Sequence, residues 1–271
     1  MKEYLKAIKP IRQLYDRFRV WSIESALRQQ KLYNSYQFIG DIIGQYTTSE
    51  LDTAYLQVKV RALHSFQKEL INLAVLSCIN SSDIKTVIDL GDSSGRHLGY
   101  VKELIGEAKY IGVNVDKEAI KKIDERGFIG VQGSIQSFIY NNPNIQWADL
   151  IMMFETLEHL EDPLLVLKGL RALSFKCKRL IITVPYVSRS RIGLHHLKKK
   201  GESFNKSPED IHLFELSPYD WKLLFEYTGW EVVYEQIYYQ YPRVLGLILK
   251  YYWRRFDFEG FWGAILKRGR E

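Results

Sequence analysis

The sequence predicts an α/β fold, a doubly wound and mostly parallel sheet with helices on both faces, preceded by a helical N-terminal extension. Three observations carry this. Apolar residues recur at helical spacing, without a proline, from Ile11 to Asn80; short apolar runs then alternate with amphipathic stretches from Ile84 to Tyr239; and the first of those runs closes on a glycine turn in VIDLGDSSGRH, Val87 to His97. With 46% apolar residues in 271, the chain can bury a sizeable core.

In the N-terminal part, Leu56, Val60, Leu63, Phe66, Leu70 and Leu73 lie three or four apart. This predicts three helices, broken near Asn34 and near Thr47 to Ser49, with Ser49 and Asp52 resembling a helix-opening cap. After Ser81, Ser82 and Asp83 the rhythm changes. TVIDLG is followed by GYVKELIGEA, KYIGVNV by KEAIKKIDERG, FIGVQG by SFIYNN, ADLIMMF by PLLVLKGLRAL, RLIITVPY after a polar stretch by PYDWKLLFEYTG, and EVVYEQIYY comes last. Strands alternating with helices at this spacing make βαβ units. The organisation expected is residues 1–82 as a helical extension covering the substrate, 83–240 as the main domain, and 241–271 as a C-terminal segment rich in aromatic and basic residues. That segment contains VLGLILKYYWRRF and is expected to form a helix or hairpin. Val187 to Asp210, with Arg189, Arg191, His195, His196 and Lys198 to Lys200, is a long basic loop of the kind that carries function, and Tyr186 before it is a candidate pocket residue.

A formal charge of +6 suits an anionic partner without selecting one. Cys78 and Cys177 are far apart and form no CxxC, which argues against a disulfide framework or thiolate zinc and fits a reducing, cytoplasmic setting. The N-terminus lacks the apolar core of a signal peptide, and no window has the length of a membrane span. Peripheral membrane contact through 241–271 stays open, with Trp and Tyr at headgroup level and Arg254, Arg255, Lys267 and Arg268 near anionic lipid; packing on the core or on a second copy is the alternative.

In open parallel sheets ligands bind beyond the carboxyl ends of the strands. The turn after Leu90 lies there, with Gly91 and Gly95 allowing close backbone approach and Ser93 and Ser94 as caps of the next helix. The second strand ends at Asn114, Val115 and Asp116, where a nucleotide fold presents polar groups to a ribose. The third ends at Gly133, Ser134 and Ile135, a position suited to an adenine edge. The fourth leads into FETLEHLEDP.

Taken in order, VIDLGDSSG, IGVNVDKEAI, VQGS, ADLIMMFETLEHLEDPLLVLKGLRAL and LIITVPY resemble the motifs of class I S-adenosylmethionine-dependent methyltransferases, in particular the subgroup whose fourth motif reads E-x-L-E-H-L-x-D-P. The likeness runs from about Ile84 to Tyr239 and implies a seven-stranded Rossmann-like methyltransferase fold. It also implies that S-adenosylmethionine is held by Asp89, Gly91, Ser93 and Gly95 at its methionine part, by Asn114, Val115 or Asp116 at the ribose and by Gly133, Ser134 and Ile135 at the adenine, with Phe154 and Glu155 closing the site. Asn114 and Ser134 stand where the family usually has acids.

Glu155, Glu158 and His159 are three and four residues apart, a spacing that would place them on one helical face. With His212 from IHLFE they are candidate ligands for a divalent metal, an arrangement that resembles the metal-dependent O-methyltransferases acting on RNA 3′-terminal ribose or in ubiquinone biosynthesis. Without a metal, His159 or His212 is a candidate general base, with Glu158 beside it. Serine catalysis is not expected from GDSSG. The leading expectation is O-methylation of a small-molecule, glycan or lipid acceptor. A metal-dependent RNA ribose 2′-O-methyltransferase, which would make nucleic acid a partner, and a non-catalytic binding or scaffold protein are the alternatives. Oligomeric state is not readable from the sequence.

Overall fold

The computed structural model describes residues 9–46, 51–77, 83–193, 211–256 and 258–269. Three helices open the described chain: α1 (Lys9–Gln29), α2 (Tyr33–Phe38) and α3 (Ala54–Leu76). The first break falls just before Asn34, and α3 is opened by Thr53, whose side chain accepts from Leu56 N; Ser49, given that role in the sequence reading, lies outside the described residues.

There follow β1 (Thr86–Leu90), α4 (Arg96–Ile105), β2 (Lys109–Asn114), α5 (Lys117–Glu125), β3 (Ile129–Gln132), α6 (Ile135–Asn141), β4 (Leu150–Phe154), α7 (Pro163–Leu173) and β5 (Arg179–Tyr186). A small ladder of β6 (Arg191–Ile192) and β7 (Phe214–Glu215) precedes α8 (Pro218–Tyr227), β8 (Trp230–Tyr239), α9 (Gly246–Phe256) and β9 (Gly260–Arg268). The main sheet has seven strands in the order β3-β2-β1-β4-β5-β9-β8, parallel except where β9 runs antiparallel to both β5 and β8. The expected doubly wound, mostly parallel seven-stranded sheet is therefore present.

One expectation about domain limits is corrected. The sheet does not end at Tyr239, because β9, inside the segment set apart as 241–271, inserts between β5 and β8 with Val184 opposite Trp262. The helical extension packs onto this sheet through α3. Phe66 and Leu70 press on β9 at Gly263, where a Cβ would sit 2.3 Å from Leu70 Cδ1, so α3 forms part of one of the two layers enclosing the sheet.

Strand pleating divides the core. Val87, Met152 and Ile181 face the layer of α1 to α4 and α9, while their neighbours Ile88, Ile151, Met153 and Ile182 face α6, α7 and α8. The chain winds outward from β1 towards β3 in one direction and from β4 towards β8 in the other, leaving a crevice over the carboxyl ends of β1 and β4. Helices after the strands start at that edge with side-chain caps: Asp116 accepts from Glu118 N, Ser134 from Ser137 N, and Asp162 from Leu165 N.

Candidate active site at the strand switch point

A cavity of about 540 Å³ occupies the crevice. Its walls include Asp89, Gly91 and Ser93 at the end of β1, Asn114 to Asp116 at the end of β2, Gly133 to Ile135 after β3, and Phe154 and Glu155 at the end of β4. These are the residues named from the sequence, with one exception. Gly95 stands at the start of α4 against Phe128 and Arg126 and does not line the cavity.

The loop after β1 is shaped by contacts the sequence did not reveal. Gly91 has φ +93, and a Cβ there would lie 2.4 Å from Thr156 Oγ1, so the backbone passes directly beneath the segment that follows β4. Asp92 closes the turn, its Oδ1 accepting from Ser94 N (2.9 Å) and Gly95 N (2.7 Å); neither Ser93 nor Ser94 caps the helix. Gly91 to Gly95 does spell G-x-S-x-G, but the Ser93 hydroxyl accepts from Gln45 Nε2 and His97 turns its nitrogens to other groups, so no serine–imidazole pair is formed.

Asp89 is buried, and burial pushes its carboxyl up to about 8. His97, also buried, is pushed down to about 4, with desolvation outweighing the opposing pull of Asp92. The two come within 3.3 Å (Nδ1 to Oδ2) but in hydrogen-bond-poor geometry, leaving Asp89 Oδ2 with no donor. The opposite nitrogen of His97 meets Gln67 Oε1 at 2.9 Å, and its ring stacks on His64 at 4.7 Å. Asp92 is pushed up to about 7, by burial first and Asp89 second. The Asp89 carboxyl lines the crevice with one oxygen lacking a donor, and Asp92, behind the cavity wall, likewise keeps an unsatisfied oxygen.

On the ribose side, Asn114 spends its amide on the loops: Nδ2 donates to Asp92 O and Oδ1 accepts from Asp116 N. Asp116 and Ser134 line the cavity while their side chains cap α5 and α6. Each oxygen retains a further acceptor site, and the Asn114 amide a further N–H.

The E-x-x-E-H segment departs from the expected helical face. Glu155 has φ +50 and lies outside any helix, and only Leu157–His159 form one turn of 3₁₀ helix. Glu158, His159 and His212 nevertheless place ligand atoms within 4.8 Å of one another, whereas Glu155 is not in that cluster. Glu158 is buried with neither carboxylate oxygen hydrogen-bonded, and burial followed by the neighbouring Glu155 holds it well above the usual carboxylate range. His159 Nδ1 lies 3.0 Å from Ile211 O, and its ring meets His212 edge-on at 4.7 Å. Because a carbonyl can only accept, Nδ1 carries the proton in the neutral ring and Nε2 carries the lone pair. His212 Nδ1 approaches Glu215 Oε1 at 3.4 Å, and Arg191 pairs with the same carboxylate. Of these groups His159 and Glu155 open onto the cavity; Glu158 and His212 do not line it.

Gln45 and Tyr46, from the loop after α2, and Gln67, from α3, complete the wall and were not singled out in the sequence. Gln45 is bonded to both arms of the loop, accepting from Ser94 Oγ (2.8 Å) and Arg96 Nε (2.7 Å). Tyr186 faces Tyr239 instead of the cavity, and His195 and His196 lie outside the described residues.

No protein-family model matches the chain, and no curated protein matches it in sequence. Solved structures do match in fold. A Galdieria sulphuraria protein proposed to be a sarcosine dimethylglycine methyltransferase is 12% identical, with 89% of this chain and 97% of that one covered at a TM-score of 0.57. The Burkholderia thailandensis 1,6-didemethyltoxoflavin-N1-methyltransferase, solved with 1,6-didemethyltoxoflavin and S-adenosylhomocysteine bound, is 12% identical over 77% and 79% of the two chains, TM-score 0.54. An O-methyltransferase from a Brevibacillus brevis polyketide synthase multienzyme, with S-adenosylhomocysteine, is 12% identical over 78% and 75%, TM-score 0.52. The chain has the class I methyltransferase fold.

Proposed function

We propose that the chain is an S-adenosylmethionine-dependent methyltransferase acting on a hydroxyl of a small-molecule, glycan or lipid acceptor. The observation that carries the reading is the Asp89 carboxyl, buried at the wall of a cavity at the strand switch point with one oxygen lacking a donor. An ammonium group supplies that donor and the compensating charge. The crevice fits the rest of the cofactor: Gly91 borders it with backbone alone, Phe154 offers an aromatic face, and Asn114, Asp116 and Ser134 offer polar groups at the ends of β2 and β3.

When bound, the sulfonium supplies a methyl group already activated for transfer, which leaves alignment and proton removal to the protein. His159 is suited to the second task. Its Nδ1–H is held by Ile211 O, so Nε2 is the basic atom, and the residue opens onto the cavity. Tyr46, Gln67 and Thr156 line the crevice. Titration calorimetry with S-adenosylhomocysteine tests the reading: binding in the micromolar range or tighter, lost in Asp89→Ala, supports it. Absence of binding would leave the non-catalytic alternative standing.

A second reading rests on Glu158, His159 and His212. A buried carboxylate with neither oxygen hydrogen-bonded, beside two imidazoles, is a donor set that fits a divalent cation such as Mn²⁺, Fe²⁺ or Zn²⁺. These three residues would hold the ion, whose charge would lower the pKa of an acceptor hydroxyl, as a metal-dependent ribose 2′-O-methyltransferase would require. Metal analysis of the purified protein, with activity measured in EDTA, tests it. Full activity without metal removes this reading.

A further inference from the structure

We propose that α9 and the turn before it form a docking surface for a membrane bearing anionic phospholipid. α9 presents two different faces. Leu249 and Trp253 are buried, Trp253 packing on Tyr55 and placing its Nε1 3.4 Å from Ser22 Oγ. On the other side Val244, Leu247, Ile248 and Tyr251 are 86, 89, 75 and 65% exposed, a concentration of large apolar side chains unmatched elsewhere among the described residues.

Charge selects the occupant. From Tyr241 to Phe256 the chain carries Arg243, Lys250, Arg254 and Arg255 and no acid. Among the described residues the acid paired with this helix is Glu259, buried and shared by Arg254 and Lys250, so one buried negative charge stands against the cations Arg243, Lys250 and Arg254 around the apolar centre. A second copy docking symmetrically through this face would bring two like-charged surfaces together. An anionic bilayer offers what the face lacks: apolar depth for Leu247 and Ile248, and phosphates for Arg243 and Lys250. Those two cations also line a second cavity, of about 340 Å³, with Tyr239 and Tyr241. It opens at the same sheet edge as the active-site crevice, where Tyr186, Gly260 and Tyr239 lie in register.

This corrects the membrane-facing set expected from sequence. Lys267 pairs with Glu231 and Arg268 donates to Ser174 O, both at the opposite sheet edge, and Trp253 is interior.

The test is co-sedimentation of the full chain with vesicles of phosphatidylcholine alone or mixed with phosphatidylglycerol, in low and high salt. It needs no cofactor and is independent of the methyltransferase reading. Expected is pelleting with the mixed vesicles alone, weakened at least tenfold by high salt and by the exposed changes Leu247→Glu with Ile248→Glu, at unchanged thermal unfolding. Equal recovery with both vesicle types overturns the proposal. So does a wild-type dimer, by light scattering, that the same double variant converts to monomer without vesicle binding by either protein.

Discussion

Replacing Asp89 by Asn should make the protein more stable and a poorer binder at once. In the folded chain burial raises this carboxyl from 3.8 to about 8. The folded state therefore keeps its proton over a pH range in which the unfolded chain loses it. The stabilisation is fully present below pH 3.8 and is lost as pH rises towards 8, because the unfolded state binds fewer protons. A displacement of that size corresponds to roughly 6 kcal/mol as an upper limit. Asn removes the dependence, so the stability gap between variant and wild type should widen from under about 2 kcal/mol at pH 5 towards about 5 kcal/mol at pH 8. Asp92, raised to about 7 partly by Asp89, should relax towards its ordinary value and add to the gain. Binding should move the other way. Losing a charge-assisted contact to an ammonium group costs about 1.5–3 kcal/mol, or roughly 10- to 100-fold in affinity. Wild-type affinity for S-adenosylhomocysteine should also rise with pH towards 8 with proton release, and the variant's should not. Urea unfolding at several pH values and calorimetry in buffers of different ionisation enthalpy measure both. A variant with an unchanged pH profile and unchanged affinity would refute the reasoning.

Gly91→Ala should cost about 2–4 kcal/mol, from a residue forced to φ +93 and a methyl group 2.4 Å from Thr156 Oγ1. Adding Thr156→Ala should recover the part due to overlap, measured by urea unfolding of the two variants. His159→Ala should lower kcat about 10²- to 10⁴-fold with cofactor affinity within about threefold, if Nε2 removes the proton, as steady-state kinetics and calorimetry will show. Gln45→Ala removes the acceptor for Ser94 Oγ and Arg96 Nε. It should weaken cofactor binding about 5- to 10-fold, on the scale of about 1 kcal/mol for a lost hydrogen bond, with a small loss of stability in the same assays.

Much of the fold was legible because six of the seven strands of the main sheet are short apolar runs set between amphipathic helices. β9 was not. FWGAILKR is apolar without alternation, as befits a strand buried on both faces, and periodicity cannot separate such a run from a buried helix. β6 and β7 are two residues each, below what a pattern can reveal. The crevice was readable where it follows from strand ends, since each carboxyl edge places its loop over the sheet. The contributions of Gln45, Tyr46 and Gln67 come from segments preceding β1: the packing of α3 on the sheet brings in Gln67, and bonds to Ser93, Ser94, Arg96 and Lys122 hold the loop of Gln45 and Tyr46. Spacing misled at Glu155: a residue at φ +50 breaks the helix that i, i+3 and i+4 implied, and what reunites His159 with His212 is the 2.7 Å bond from Leu213 N to Glu158 O. His97 sits immediately after the glycine loop, yet its partner Asp89 lies on the preceding strand, a juxtaposition visible once α4 has folded back over β1.

The most direct measurement is a crystal structure of the chain soaked with S-adenosylhomocysteine. Expected is the amino group within hydrogen-bond distance of Asp89, the amino-acid part over Gly91 and the adenine beside Ser134 and Ile135. Density for the nucleoside elsewhere, or a crevice over Gly91 that stays closed at saturating ligand, would contradict the assignment.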